Sequence, residues 1–189
     1  NGNLWIKYLN LKINLVKNVF CYLLKQQKKL YQINFMGDFK QSILAGIFSI
    51  FTIGILTFLT YKTEFGIFII ASFGSSMVLL YGYPESPFAQ PKNIFFGHLL
   101  TSIVGMFFLY FIHLPLYIIL PLAVGFGVGL MILFKITHPP AGGNPIIVII
   151  GSVSPDYLLN PVISGSIIIL IFGIIINRFI LKKSYPKLK

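Results

Sequence analysis

Charge is what this sequence has least of. Of 189 residues, 10% are Asp, Glu, Lys or Arg, against about 25% in an ordinary soluble domain. Acidic residues number four, so paired-carboxylate chemistry has almost nothing to work with. Between Lys40 and Arg178 the charged side chains are Lys62, Glu64, Glu85, Lys92, Lys135 and Asp156. Cysteine is nearly absent as well: Cys21 stands alone, which excludes an intrachain disulfide and any multi-cysteine metal site. The first residues mix basic and apolar side chains, without the compact apolar core and small-residue cleavage site of a signal peptide. No nucleophile–base spacing, phosphate loop or cofactor fingerprint is present. Three histidines without a carboxylate cluster make a weak metal set. No enzyme, no cofactor and no metal are therefore expected.

What is present is apolar. Hydrophobic residues make up 56% of the chain, and the mean hydropathy is +0.85. The net charge of +11 does not point to nucleic acid, because the cations sit at the ends of the hydrophobic block. Flanking Lys and Arg are topology signals and headgroup contacts. The expected fold class is an all-α polytopic membrane protein, partnered by the lipid bilayer of a bacterial inner membrane or an organelle. A membrane domain this small is expected to form a homo-oligomer.

Three regions follow from the charge pattern. Residues 1–39 form a basic leader. On a helical wheel from Leu4 to Lys25, Lys7, Asn10, Asn14, Lys17, Asn18 and Lys25 share one arc, and Leu4, Tyr8, Leu11, Leu15, Val19 and Tyr22 another. That pattern suits a helix lying in the membrane interface. The alternative is a non-native extension, since MGDFKQ at Met36 reads as a start. Residues 40–182 form the membrane domain, and 183–189 a basic tail. In the membrane domain, residues 41–61 can span, since about 20 are needed. Residues 65–84 are apolar but broken by SFGSS. Residues 93–134 hold two spans with a turn at His113-Leu114-Pro115, His113 lying at the interface. Residues 136–155 contain THPPAGGNP, and 157–177 a last span starting at Asn160-Pro161 as N-cap and first helical residue. The expectation is about six membrane segments: four full spans and two broken or re-entrant ones.

The broken segments are related by a shift of 70 positions, which places Ala71 on Ala141, Val78 on Val148 and Pro91 on Pro161. Each repeat would hold a span, a broken segment and a span, and three crossings per repeat make an inverted pair. With six crossings and both termini in the cytoplasm, 14 of the 15 cations lie inside and Lys62 alone lies outside. With four crossings Lys92 and Lys135 move outside, leaving 12 of 15. The positive-inside rule favours six.

Backbone at membrane depth must be satisfied within the protein or line a wet cavity. An interrupted segment is thus a packing device or a site. In the second segment only Pro145 to Gly151 reads as helix, roughly 10 Å long, with Asn144 as N-cap and the preceding HPPAGG extended or irregular. In the first, a half-helix is expected to start near Ser75. Two such N-termini meeting at the midplane would form an anion site without a buried cation. The candidate substrate-binding set is Ser72, Gly74, Ser75, Ser76, His98, His138, Gly142, Gly143 and Asn144. The glycines would admit close backbone approach. His98 and His138 are intramembrane ionisable residues, hence functional candidates that could carry a proton with an anion. The competing reading is that Gly and Pro serve helix packing and that the histidines bond neighbouring carbonyls. Lys92 and Lys135 read first as solvated flanking cations and, as the alternative, as residues that attract anions to an inner mouth; Glu85 and Asp156 are loop residues.

ASFGSSMVLLYGYPESPFAQPKNIFFGH (Ala71–His98) and THPPAGGNP (Thr137–Pro145) resemble the two motif blocks of the HPP family of integral membrane proteins, named for the motif standing here as His138-Pro139-Pro140. The resemblance covers about residues 40–180. It marks Ser86, Pro87, Gln90, Pro91, Asn93, Gly97, His98, His138, Pro139, Pro140 and Gly142 as motif positions. It implies four membrane helices, and a role in transport, since some plastid and cyanobacterial members are implicated in nitrite transport. The expected function is a transporter or channel for a small monovalent inorganic anion, nitrite being the named candidate. The rivals are a non-transporting membrane scaffold or assembly protein, and a membrane enzyme using His98 or His138 as a base.

Overall fold

The structure, a computed structural model, describes residue 7 and residues 12–21 and 35–187. The chain divides into Asn1–Lys40 and Gln41–Lys189, and each is taken by itself. In the first unit, residues 12–21 are helical and exposed. The rest of the helix expected over Leu4–Lys25 lies outside the described residues, apart from the helical residue 7.

Among the described residues, four helices are long and apolar enough to cross a membrane. These are α1 (Phe35–Lys62), α3 (Pro91–Phe111), α4 (Leu116–Leu133) and the last run, Pro155–Ile180, whose regular part is α6 (Ser164–Ile175). With the shorter helices described next, the chain is an all-α polytopic integral membrane protein. The turn between α3 and α4 falls at 112–115, where the sequence puts it. Gln90 precedes Pro91 at the start of α3 and Pro115 precedes α4. Proline suits a first turn because its missing N–H would be unpaired there anyway.

The two broken segments are short compound helices. The first is α2 (Ala71–Met77), which runs on into a π-helical turn, Val78–Gly82. The second is a 3₁₀ turn, Pro139–Gly143, followed by α5 (Asn144–Ile150). Two expectations are corrected here. The first helix starts at Ala71, not near Ser75. Gly74 and Ser75 continue it because backbone groups out of reach of water must pair internally, and a helix does that within one segment. In the HPPAGG stretch His138 is extended, but Pro139–Gly143 form a regular 3₁₀ turn rather than extended or irregular backbone. Pro139 and Pro140 sit in its first turn, where missing N–H groups cost nothing.

Hydrogen bonds fix how these segments lie. Phe68 N–H donates to Thr60 Oγ1 (3.0 Å) and Gln41 Nε2 donates to the Tyr81 carbonyl (2.8 Å), so the first segment runs antiparallel to α1. Asn93 Nδ2 donates to the Thr137 carbonyl (2.8 Å) and Tyr110 Oη to that of Val153 (2.8 Å), so the second runs parallel to α3. In lipid no hydrophobic force holds helices together; close packing at small residues does. A Cβ on Gly97 would come within 2.9 Å of His138 Cβ, and one on Gly105 within 2.9 Å of both Pro145 Cα and Val148 Cβ. On α6, a Cβ on Gly165 would strike the Phe68 carbonyl and the Phe73 ring, and one on Gly173 would lie 2.7 Å from Leu80 Cδ1. Each broken segment is thus cradled by two glycines eight positions apart on a long helix. The helix α3, which follows the first segment, cradles the second; α6, which follows the second, cradles the first.

The last span starts where expected. Asn160 has the extended backbone (φ −136°, ψ 110°) usual for the residue ahead of a helix, at a kink between Leu159 and the turn that begins at Pro161, and its Oδ1 accepts from Ser164 Oγ. Its Nδ2 ties the loop before α2, donating to the Phe65 carbonyl at 2.7 Å.

Candidate functional site

The two broken segments meet at one buried polar group. Ser72, Ser76, His98, Thr101, His138 and Asn144 are all buried, and all but Ser72 are fully so. Ser72 Oγ donates to Asn144 Oδ1 (2.7 Å). Asn144 Nδ2 lies 3.1 Å from His98 Nδ1 and donates to the His98 carbonyl (3.2 Å) and Thr101 Oγ1 (3.1 Å). Ser76 Oγ lies 3.0 Å from His98 Nε2, 2.8 Å from His138 Nε2 and 3.0 Å from the Ser72 carbonyl. His138 Nδ1 lies 2.7 Å from the Phe88 carbonyl. The imidazoles stand edge to face, centroids 5.0 Å apart, and Phe73 packs edge-on against His98 at 5.0 Å.

Local folding explains who belongs. Residues 72, 73, 76 and 77 share one face of α2 and are buried, while Gly74 and Ser75 fall on the opposite face and are exposed. Those two do not reach the polar group. Gly142 and Gly143 are half-buried and also stay outside it: the nearest atom to a Cβ on Gly142 is Val128 Cγ2 at 3.8 Å, and nothing lies within 4 Å of one on Gly143. Asn144 does not cap its helix; the first turn begins earlier, at Pro139, which frees its side chain to turn inward. Thr101 was not singled out by the sequence, although its place one turn beyond His98 on α3 could have found it. One further hydroxyl on that helix, Ser102 Oγ, is buried without a hydrogen-bond partner among the described residues, as is Ser166 Oγ on α6.

The motif positions around Pro87 build the rim. Ser86 Oγ accepts from Phe88 N–H (3.2 Å) and starts a 3₁₀ turn, Pro87–Ala89. Gln90 Nε2 donates to the carbonyls of Pro84 (3.0 Å) and Ser86 (2.9 Å). This turn presents the Phe88 carbonyl to His138, and Gly97 allows the backbone at His138 to come close. Motif residues distant in sequence thus hold one histidine from two sides.

Beside the rim opens a basin of about 1350 Å³, lined by Lys92, Lys135, Arg178, Lys183 and Lys187 against Glu85, with Phe88, Asn93 and Thr137 on its wall. Five cations and one carboxylate leave a net charge of +4. Burial holds the Lys183 ammonium below its ordinary 10.5, with Glu85 opposing the shift. The Lys187–Glu85 pair (3.5 Å) is solvent-exposed and so contributes little. The tail packs back over this region: Tyr185 is buried, its Oη donating to the Ala89 carbonyl at 2.8 Å, and Lys187 N–H reaches Gln90 Oε1 at 2.8 Å. Among the described residues no three His, Cys, Asp or Glu side chains are grouped to hold a metal ion.

The transmembrane region of the HPP family matches residues 35–186. A transmembrane protein of Dictyostelium discoideum is 33% identical over 125 residues, covering 62% of this chain and 44% of that protein. A second from the same organism is 29% identical over 198 residues, covering 95% of this chain and 62% of its own length. The chain therefore spans less than two thirds of either relative. No solved structure matches it. With a family match running from the start of α1 to the buried Tyr185, and with both motif blocks converging on one buried centre, this chain belongs to the HPP family of integral membrane proteins.

Proposed function

We propose that this chain carries a small monovalent anion across the membrane, with nitrite the first candidate on family grounds. The observation that carries the reading is the junction of the two broken segments, at Ser72–Asn144 and Ser76–His138, beside a basin with net charge +4. Converging cations concentrate anions at a mouth, and broken helices in transporters mark the site. Ser72, Ser76, His98, His138 and Asn144 supply its polar groups. The centre is closed to solvent here, so it is the occluded state of a cycle that must open.

Six crossings complete the proposal. Between its bonds to Thr60 and to Gln41 the first segment follows α1 for 19 residues, roughly 28 Å, close to a hydrocarbon core of about 30 Å. The reciprocal cradling by Gly97/Gly105 and Gly165/Gly173 supports an inverted three-segment repeat, because a twofold relation exchanges the two halves in this way. The basin side, holding Lys92, Lys135, Arg178, Lys183 and Lys187, is then cytoplasmic, with both termini on that side.

A second reading keeps the scaffold role. It rests on the mutual saturation of the polar group, which could serve as a packing lock. Flux separates the two. Purified protein in liposomes is offered nitrite, nitrate, formate and chloride, with Asn144→Leu, shown to be folded, as control. Saturable uptake that the variant loses supports transport, and the ranking of anions names the substrate. No protein-dependent flux, under both an anion gradient and a pH difference, sinks transport and leaves the scaffold.

A further inference from the structure

The buried polar group obeys a strict donor–acceptor account, and that account fixes the hydrogens. The Phe88 carbonyl can only accept, so His138 Nδ1, 2.7 Å away, carries a hydrogen. In the neutral ring His138 Nε2 is then a bare acceptor. The Asn144 amide is oriented independently of either histidine ring: its nitrogen faces the His98 carbonyl at 3.2 Å, another pure acceptor, and its oxygen receives Ser72 Oγ at 2.7 Å. That nitrogen also faces His98 Nδ1 and Thr101 Oγ1, each at 3.1 Å, so its two hydrogens are shared among three acceptors. A hydrogen on His98 Nδ1 would point at an amide nitrogen that cannot accept it, so Nδ1 is bare and Nε2 carries the hydrogen. The two neutral histidines are therefore opposite tautomers. His98 Nε2–H donates to Ser76 Oγ (3.0 Å), and Ser76 O–H donates to His138 Nε2 (2.8 Å). The bonds run in one direction, from Asn144 to the rim of the basin.

Ser76 has one more partner. The Ser72 carbonyl lies 3.0 Å from Ser76 Oγ and goes unused by Ser76 in that arrangement. When His138 Nε2 gains a proton, the ring becomes a donor toward Ser76. The hydroxyl then rotates to the Ser72 carbonyl, and its oxygen accepts from both histidines on its two lone pairs. Every contact stays satisfied and no heavy atom moves. A second proton has no such place: on His98 Nδ1 it would point at the Asn144 nitrogen, and turning that amide would give up the bonds to Ser72 and to the His98 carbonyl. Among the described residues, no carboxylate, lysine or arginine is hydrogen-bonded to the group. α2 contributes Ser72, Ser76 and Phe73, α3 contributes His98 and Thr101, and α5 contributes Asn144. The charged residues Lys92, Lys135, Arg178, Lys183, Lys187 and Glu85 lie in the basin beyond Phe88 and Thr137.

We infer that His98, Ser76 and His138 form a binding site for one proton, switched by rotation of the Ser76 hydroxyl, and that one proton accompanies each anion. The coupling half of this inference rests on the transport reading; the proton site does not. Proton binding is balanced: one H⁺ is taken up, an N–H bond forms at His138 Nε2, and the Ser76 hydrogen passes from His138 Nε2 to the Ser72 carbonyl as its acceptor. Anion and proton then move together without net charge.

Two measurements test it on the full chain. Nitrogen-15 NMR of the histidine rings in lipid, with His113→Gln to remove the third histidine, reads each ring nitrogen directly. Expected are one ring protonated at Nε2 and one at Nδ1 at alkaline pH, and a single ring gaining a second proton on acidification. Two rings of the same tautomer, both rings protonating together, or neither doing so while the protein stays folded overturns the site. The second measurement pairs nitrite uptake in liposomes with an internal pH dye. One proton per anion is expected, with loss of proton uptake in Ser76→Ala. Nitrite flux without proton movement overturns the coupling and leaves transport standing. No flux with the opposite tautomers observed overturns transport, and with it the coupling, and leaves the proton site standing.

Discussion

Three glycines on the helices around the second broken segment make a graded test of the packing. Each is changed to alanine. At Gly105 the new Cβ meets Pro145 Cα and Val148 Cβ at 2.9 Å and Val148 Cγ1 at 3.2 Å. Two of the three atoms are fixed to backbone, so the segment itself must move. At Gly97 it meets His138 Cβ at 2.9 Å and the Ile136 carbonyl at 3.3 Å. At Gly127 the nearest atoms, Thr101 Cγ2 and Pro145 Cγ, lie at 3.5 and 3.6 Å, which is ordinary contact. Overpacking a tight site costs about 1–3 kcal/mol, and alanine returns about 0.5–1 kcal/mol over glycine inside a helix. The net expectation is a loss of about 2 kcal/mol for Gly105→Ala, about 1 for Gly97→Ala, and a gain of about 0.5 for Gly127→Ala. Reversible unfolding in mixed micelles by an added denaturing detergent reads these differences. Gly97→Ala should also lengthen the 2.8 Å His138–Ser76 bond, and so impair flux beyond its effect on stability. Equal shifts for all three, or Gly127→Ala as the worst, would refute the close-packing account.

The basin and tail give two further tests. Lys135 follows α4 in a left-handed conformation (φ 54°), the position glycine normally takes past a helix end. Lys135→Gly should raise stability by up to about 1 kcal/mol while slowing anion uptake at low ionic strength; a faster or unchanged rate argues against a role for the basin charge. Burial, helped by the neighbouring Tyr81, lifts the Tyr185 phenol above its ordinary 10.0. Its contribution to stability is therefore complete below pH 10 and lost as pH rises beyond it. Tyr185→Phe should cost about 1 kcal/mol at neutral pH by stranding the Ala89 carbonyl, and should flatten part of the alkaline fall seen by thermal unfolding.

The lipid-facing architecture was plain in the sequence because it depends on composition alone. Long uncharged runs punctuated by Pro91, Pro115 and the basic flanks leave few other readings, and the four long helices fall where those runs lie. The polar centre was half legible. An intramembrane histidine, serine or asparagine needs a partner, so chemistry alone marks Ser72, Ser76, His98, His138 and Asn144. What the sequence could not supply was helical phase. Reading SFGSS as a break placed a helix start at Ser75, and the set then took in Gly74 and Ser75. Once the helix begins at Ala71, its periodicity sends those two to the outer face and keeps Ser72 and Ser76 inside. The same error of phase made Asn144 an N-cap. With the turn already begun at Pro139, that side chain is released to bond His98, Thr101 and Ser72 in the buried polar group. The basin was hidden for another reason. Lys92, Lys135, Arg178, Lys183 and Lys187 each read singly as flanking topology signals, so nothing in the sequence required that all five converge. Lys92, Lys135 and Arg178 meet because one end each of α3, α4 and the last span lies there; Lys183 and Lys187 join them through Tyr185, whose burial against Ala89 folds the basic tail onto the basin, and a tyrosine in a lysine-rich tail carries no mark of that task.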